Sequence, residues 1–394
     1  MQTRKKDFSI LGFGCMRFPK RGGRIDPYAT EHLIVHAIEY GINYFDTAYI
    51  YNGSEAILGD ILNKNHLREK IHIATKMPHY LIKNMEDFES LFRTQLRRLQ
   101  TDYIDNYLMH MLPDIDIWHK LEEKGIRKWI ADKKEAGQIR NIGFSFHGNS
   151  EAFCELLDAY PWDFCQCQYN YMDEYSQAGR KGVQHAAELG IPVVIMEPLR
   201  GGRLINGLPA EAKSLFENTL PGWKKSGRAT PAEWGLSWLY NQPEVAVVLS
   251  GMNSMEMLDE NIRIADESHA GMYTQQDFEV IAKARKILDA KIKVPCTGCG
   301  YCMPCPHGVD IPGCFRAYNN QAIDGHFASV KEYLMTTALR AQKSYASMCV
   351  RCGRCEALCP QSIPIRDKLE ETAQHMEGAI FHGAEFFSRP MFRK

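Results

Sequence analysis

Residues Lys70 to His110 read KIHIATKMPHYLIKNMEDFESLFRTQLRRLQTDYIDNYLMH. The two ends, KIHIATKM (70–77) and YIDNYLMH (103–110), are short, largely apolar and β-rich, whereas Met85–Leu99 between them is amphipathic at helical spacing. Strand, helix, strand at this length is the unit that joins two parallel strands by a crossover. The same alternation runs through the first 290 residues. Further strands are expected at LGFGCMRF (11–18), INYFDTA (42–48), RNIGFSF (140–146), DFCQCQYN (163–170), IPVVIMEPL (191–199) and VAVVLSGM (245–252). Helical stretches fall at Thr30–Tyr40 and Tyr175–Leu189, and Thr230-Pro231-Ala232-Glu233 has the form of a helix start. Continuous apolar runs suit strands buried on both faces. Eight of them alternating with helices predict a (β/α)8 TIM barrel over residues 1–290. An open doubly wound sheet is the competitor, but no GxGxxG follows the first strand.

The chain has 394 residues, 45% of them apolar and 24% charged, enough for a packed core and for two domains. Lys plus Arg number 47 against 48 Asp plus Glu. That balance gives no general electrostatic reason to bind nucleic acid or an anionic membrane. No run approaches the length of a membrane span, and MQTRKKDFSILGFG lacks the apolar stretch of a secretory signal, so a cytoplasmic protein is expected.

Of thirteen cysteines, nine fall between Cys296 and Cys359. Thiols this dense in a reducing compartment point to metal rather than disulfides. Cys349, Cys352, Cys355 and Cys359-Pro360 follow the C-x2-C-x2-C-x3-C-P run of [4Fe–4S] clusters, in which the fourth Cys reaches the partner cluster. Cys296, Cys299, Cys302 and Cys305-Pro306 form a similar run that is one residue short. On that rule one cluster takes Cys296, Cys299, Cys302 and Cys359, and the other takes Cys349, Cys352, Cys355 and Cys305, with Cys314 the alternative to Cys305. Structural zinc, the other reading, rarely uses three consecutive C-x2-C steps. Helical stretches at Phe315–Ala322 and Val330–Gln342 separate the motifs. Residues 291–394 are therefore expected to form a small α-helical ferredoxin-like domain with two [4Fe–4S] clusters, after a junction near Lys291–Pro295. The aromatic end, Gly378–Lys394, has no assigned place, draping back over the barrel being one option.

Active sites of such barrels lie at the C-terminal ends of the strands. Asp46 and Tyr51 follow the second strand, Lys76 ends the third and His110 the fourth. Singly, these residues read as a helix cap, a snorkelling Lys and a core His; at the same end of consecutive strands they make a proton-delivery device. A phenol is a poor acid at neutral pH, and a neighbouring ammonium stabilises its phenolate. Asp46 would hold that ammonium, since a lone buried charge is costly. His110 would orient a carbonyl. The set suits hydride addition to C=O, in which charge develops on oxygen.

These residues sit in motifs that resemble the aldo-keto reductase superfamily, in its bacterial and archaeal branch with a C-terminal 4Fe-4S ferredoxin-like domain. The motifs are Asp46-Thr-Ala-x-x-Tyr51, Thr75-Lys76, Tyr107-Leu-Met-His110, Gly143-Phe-Ser145, Gln166-x-x-Tyr169-Asn170, Pro198-Leu199-x-Gly201-Gly202-x-Leu204 and Glu260-Asn261. The resemblance implies a catalytic tetrad of Asp46, Tyr51, Lys76 and His110, with Tyr51 the proton donor to a small carbonyl substrate. It implies that Ser145 and Gln166 meet the nicotinamide carboxamide. It further implies that Pro198, Leu199, Gly201, Gly202 and Leu204, with Ser250, Gly251, Glu260 and Asn261, meet the pyrophosphate and adenosine of NADH or NADPH. Met196 stands where many relatives stack a Tyr on the nicotinamide, and Phe146 where many have Asn. Neutral residues at Gly251 and Met257 lack the cationic grip on a 2'-phosphate, which favours NADH.

Joining hydride chemistry to one-electron clusters leaves three readings open. The barrel is an ordinary carbonyl reductase whose clusters are structural or serve a redox partner protein. Alternatively, the clusters feed a barrel-bound flavin, near Gly201-Gly202, or the substrate directly. In the third, the protein is a low-turnover redox sensor. The loops Leu112–Glu123 and Asn206–Ser226 would shape the substrate pocket; Arg17, Trp118 and Trp223 either line it or only pack.

Overall fold

The computed structural model describes residues 7–226, 229–290, 293–296, 298, 300–359 and 361–388. Eight parallel strands close into a barrel: β1 (Leu11–Gly14), β2 (Tyr44–Asp46), β3 (His72–Met77), β4 (Ile104–Met109), β5 (Ile139–Phe146), β6 (Phe164–Gln168), β7 (Val193–Met196) and β8 (Val245–Ser250). Each pairs with the next, and β8 returns to β1 with Leu11 opposite Val248 and Phe13 opposite Ser250. Most strands are shorter than the apolar runs that announce them. After Gly14 the chain turns through a 3-10 segment, Cys15–Arg17, and the Cys15 carbonyl accepts a hydrogen bond from Ser54 Oγ at 2.8 Å.

The helices follow local chemistry. Met85–Leu99 has the expected bounds because Asn84 and Asp87 form a reciprocal cap: Asn84 Oδ1 accepts from Asp87 N, and Asp87 Oδ2 from Asn84 N, both at 3.2 Å. Thr230 caps Pro231–Tyr240, its hydroxyl accepting from Glu233 N at 3.1 Å. The helix expected from Tyr175 starts only at Gly179, because Gln177 (φ +54°) and Gly179 (φ +59°) are left-handed and cannot continue a helix.

The core has two layers. One lies between strands and helices; the other fills the barrel with Phe8, Tyr44, Ala74, Leu108, Phe164, Val194 and Leu249. Side chains two apart on a strand share a face. The residues two steps beyond Tyr44, Ala74, Leu108, Phe164 and Val194 are Asp46, Lys76, His110, Gln166 and Met196. They form the next layer upward, at the C-terminal mouth.

Helices Ser54–Lys64 and Met85–Leu99 approach closely at Gly59, where an added Cβ would lie 2.5 Å from the Arg98 carbonyl oxygen. Backbone cannot yield as a side chain can. Gly59→Ala is expected to destabilise the chain by roughly 1–3 kcal/mol, read as a lower urea midpoint.

The C-terminal part is helical: Ile311–Asn319, Gln321–Asp324, His326–Tyr333 running into a π-turn at Leu334–Ala338, Ile365–Met376 and Ala379–Ser388. Ile311, Phe315, Tyr333, Leu369, Met376 and Phe381 are central to its core. Ile311–Asn319 starts earlier than its apolar pattern suggested because Asp310 caps it, Oδ1 accepting from Gly313 N at 3.1 Å. Among the described residues the aromatic end packs on the helical domain rather than draping over the barrel. Phe381 packs on Tyr333 and Tyr345 of the helical domain, with ring centroids at 5.3 and 5.5 Å, while residues 389–394 lie outside the described residues. The domain sits against the C-terminal mouth of the barrel. Ala341 N donates to Asp114 Oδ2 at 3.3 Å beyond β4, and Asn320 bonds Arg200 beyond β7. No described helix is long and apolar enough to cross a membrane.

Candidate active site

Asp46, Lys76, His110 and Gln166 converge as their strand positions require. Lys76, 1% exposed, donates from Nζ to Asp46 Oδ1 at 2.6 Å and to the Thr47 carbonyl at 2.8 Å. The other Asp46 oxygen accepts from Gln166 Nε2 at 2.9 Å, so this carboxylate is fixed from both sides. Tyr51 joins them from the loop after β2. Its ring centroid lies 5.1 Å from Lys76 Nζ, and its ring meets His110 edge-on at 6.1 Å and 85°. All four expected tetrad residues therefore stand at one mouth.

The electrostatics are set by burial. Burial pushes the Tyr51 hydroxyl up, the Lys76 ammonium pulls it back, and Asp46 and Glu197 add to the rise; the net shift is upward. Lys76 thus moderates a phenol that burial alone would make a weaker acid still. For Lys76, burial disfavours the charge but Asp46 and Tyr51 outweigh it, so the ammonium persists. Burial, reinforced by Lys76, His147 and His79, holds His110 well below the usual imidazole range, so it is neutral. Its Nδ1 is buried without a hydrogen-bond partner.

Ser145 pairs with Gln166 across β5 and β6, and its hydroxyl accepts from Met111 N at 2.8 Å. Gln166 Oε1 is buried with no hydrogen-bond partner among the described residues. Met196 is half-buried beside the barrel interior. In the loop after β7, Gly201 (φ +67°) and Gly202 (φ +90°) are left-handed, whereas Leu199 and Leu204 are buried in the core. Asn261 Nδ2 donates to Ser250 Oγ at 2.9 Å, and Glu260 Oε1 accepts from Thr230 Oγ1 at 2.8 Å. Arg17 spans this region: its stem packs on Gly251 and its guanidinium fills the space a side chain at Gly201 would need.

Of the two uses open to Trp118 and Trp223, lining a pocket or packing, the contacts are those of packing. Trp118 is fully buried against Tyr160 and Trp162, and Trp223 stacks on Tyr273 at 4.5 Å, so both pack among helices. The segment expected as a loop to Glu123 is helical from Ile115.

Sequence reasoning did not single out Arg200 (4% exposed), His79 (4% exposed) or His147. Burial pushes both imidazoles down to about 4, in His147 against the pull of Glu332. A lone Arg in a Gly-rich loop, or a His beyond a strand end, carries no periodic signal.

In the helical domain, Cys296, Cys302 and Cys359 line one cavity, walled by Ile311, Pro312 and Phe315. Cys359, far from the other two in sequence, lines the same cavity. This thiol set at an apolar-walled cavity is chemically suited to an iron–sulfur cluster. Cys299 and Pro360 lie outside the described residues. Cys305, Cys349 and Cys355 are half-buried beside the domain core and Cys352 is exposed. Cys314 is a core side chain whose Sγ donates to the Ser344 carbonyl at 3.6 Å.

Residues 10–285 match the aldo/keto reductase family, and residues 295–363 match a 4Fe-4S dicluster domain. The probable aldo-keto reductase 1 of Glycine max is 29% identical over 296 residues, covering 66% of this chain and 82% of that protein. The uncharacterized oxidoreductase YqkF of Bacillus subtilis is 25% identical over 317 residues, covering 72% and 95% respectively. Among solved structures, aldo-keto reductase AKR11C1 from Bacillus halodurans, holo form, is similar at 26% identity and a TM-score of 0.58, over 72% of this chain and 95% of that one. With the barrel and its strand-end residues in view, this chain belongs to the aldo/keto reductase family and joins that barrel to a C-terminal 4Fe-4S dicluster domain.

Proposed function

We propose that the barrel interconverts a small-molecule carbonyl and its alcohol with a nicotinamide dinucleotide, and that Tyr51 is the proton donor. One observation carries this reading: a buried Lys76 ammonium, held by Asp46 at 2.6 Å, stands beside Tyr51 with a neutral His110 edge-on to the same ring. The dinucleotide, when bound, supplies hydride to the carbonyl carbon. Tyr51 gives its proton to the carbonyl oxygen, and Lys76 stabilises the phenolate left behind. Asp46 and the Thr47 carbonyl keep the ammonium in place. The neutral His110 imidazole offers one N–H to the carbonyl oxygen and orients it.

Ser145, Gln166, Met196, Ser250, Gly251, Glu260, Asn261 and the Pro198–Leu204 loop would hold the dinucleotide. The orphaned, buried Gln166 Oε1 fits that role, since a carboxamide N–H would satisfy it. NADH is favoured over NADPH because Gly251 and Met257 offer no cation to a 2'-phosphate. Cys296, Cys299, Cys302 and Cys359 would hold one [4Fe–4S] cluster and Cys349, Cys352, Cys355 and Cys305 the other. Cys305 is preferred to Cys314, whose thiol is engaged in the core.

Turnover of a panel of aldehydes and ketones with NADH and NADPH tests the reading. No turnover with either donor would sink it, and flavin released on denaturation would move the chemistry to the flavin-bearing alternative. A pH profile adds a second check. With His110 held below its usual range and Tyr51 above, kcat/KM for reduction is expected to stay flat from about pH 6 to about pH 9. A titration midpoint near the ordinary imidazole value would contradict a neutral His110.

A further inference from the structure

The backbone after β7 is strained. Glu197 (φ +54°) and Arg200 (φ +46°) are side-chain-bearing residues in the left-handed region, followed by Gly201 (φ +67°) and Gly202 (φ +90°). Such conformations are costly and persist only where the surroundings over-determine them.

Arg200 supplies the constraint, reaching in two directions from a position that is 4% exposed. Toward the barrel, Nε donates to Asp173 Oδ2 at 3.0 Å and Nη2 donates to Asp173 Oδ1. Toward the helical domain, Nη1 donates to Asn320 Oδ1 at 3.1 Å and lies 3.6 Å from Asp324 Oδ2. Asn320 is itself pinned, donating to Glu332 Oε2 at 2.9 Å, and Glu332 pairs with Arg316 at 3.2 Å. Asp324 also faces Arg203 of the same barrel loop at 3.8 Å. The helix that ends beside Asn320, Ile311–Asn319, begins with the residues that wall the cavity of Cys296, Cys302 and Cys359. A single helix therefore spans from the cysteine cavity to the strained loop.

We propose that the helical domain braces the loop Pro198–Leu204 through Asn320 and Asp324, so that dinucleotide affinity depends on how that domain is seated. The proposal rests on the reading above, in which this loop holds the dinucleotide. Asn320 and Asp324 are positioning residues: they touch Arg200 and Arg203, and act through the loop. Removal or displacement of the domain takes away both partners of Arg200 Nη1 and frees a backbone that its own residue types do not favour.

The test uses the full chain with Asn320→Ala and Asp324→Asn, two changes outside the barrel. Two readouts are compared: amide hydrogen exchange of residues 197–204 without any dinucleotide, and the Kd for NADH and NADPH. Exchange is expected to quicken and Kd to rise, each about tenfold in Asn320→Ala and less in Asp324→Asn, with kcat at saturating dinucleotide within about twofold of wild type. Iron content and melting temperature report whether the domain is intact; should Asn320→Ala lose it, Asp324→Asn carries the test. Exchange and Kd matching the wild type in both variants overturn the brace. So does faster exchange with unchanged Kd. A wild type that binds neither dinucleotide overturns the nucleotide reading itself, whereas normal wild-type binding with unaltered variants overturns this proposal alone.

Discussion

Tyr51→Phe is expected to lower kcat/KM for dinucleotide-dependent carbonyl reduction by about 10²- to 10⁴-fold while the dinucleotide Kd stays near that of the wild type. The ring is retained, so its edge contact with His110 and its place beside Lys76 survive. Only the transferable proton is lost. The split between kcat and affinity separates a proton donor from a packing residue, which would move both. A variant that keeps more than about a tenth of wild-type kcat would remove Tyr51 from the mechanism. His110 then becomes the candidate to test, although burial keeps its imidazole neutral and so a poorer acid than an imidazolium.

The second large effect concerns stability. Asp173→Ala is expected to destabilise the chain by roughly 3 kcal/mol, because it leaves the Arg200 guanidinium, 4% exposed, with only the more distant Asp324 carboxylate at 3.6 Å. Asp173 also accepts from Asn170 Nδ2 at 2.7 Å and Gln168 Nε2 at 2.8 Å, so its loss undoes the whole turn after β6. Urea unfolding would show it; a midpoint within error of the wild type would mean that water reaches Arg200 freely. Burial raises the Asp173 carboxyl, but the Arg200 guanidinium and its hydrogen bonds outweigh that and hold it far below the usual carboxylate range. A depressed carboxylate contributes stability above its unfolded pKa of about 4 and loses it as pH falls from there toward the folded value. Acid unfolding of the wild type should therefore include a component beginning near that pH and absent from Asp173→Ala.

The placement of Asp46, Lys76 and His110 at one mouth was legible because it obeys the strand period. Tyr44 and Asp46, Ala74 and Lys76, and Leu108 and His110 are pairs two residues apart, and an alternating strand must place both members on one face. Tyr51 needed the motif as well, since it sits in a loop where no period applies. The bond from Gln166 to Asp46 links β6 to β2, and no local pattern connects residues so distant in sequence. Trp118 and Trp223 could line a pocket or only pack as far as sequence goes, because a large ring near a mouth serves either use; in the fold both contact other aromatic rings.

Apolar runs alternating with helical stretches, a run of C-x2-C steps, and three strand-end residues with a motif Tyr determined the barrel, the cysteine-bearing domain and the candidate chemistry. These features are local or periodic, and the chain's own geometry enforces them. Only the tertiary structure decided how the domains meet: Arg200 between Asp173 and Asn320, and the helical domain set on the C-terminal mouth. Such contacts join segments far apart in sequence, and they form only once burial makes an unpaired charge or an unpacked face too costly to leave exposed to the interior.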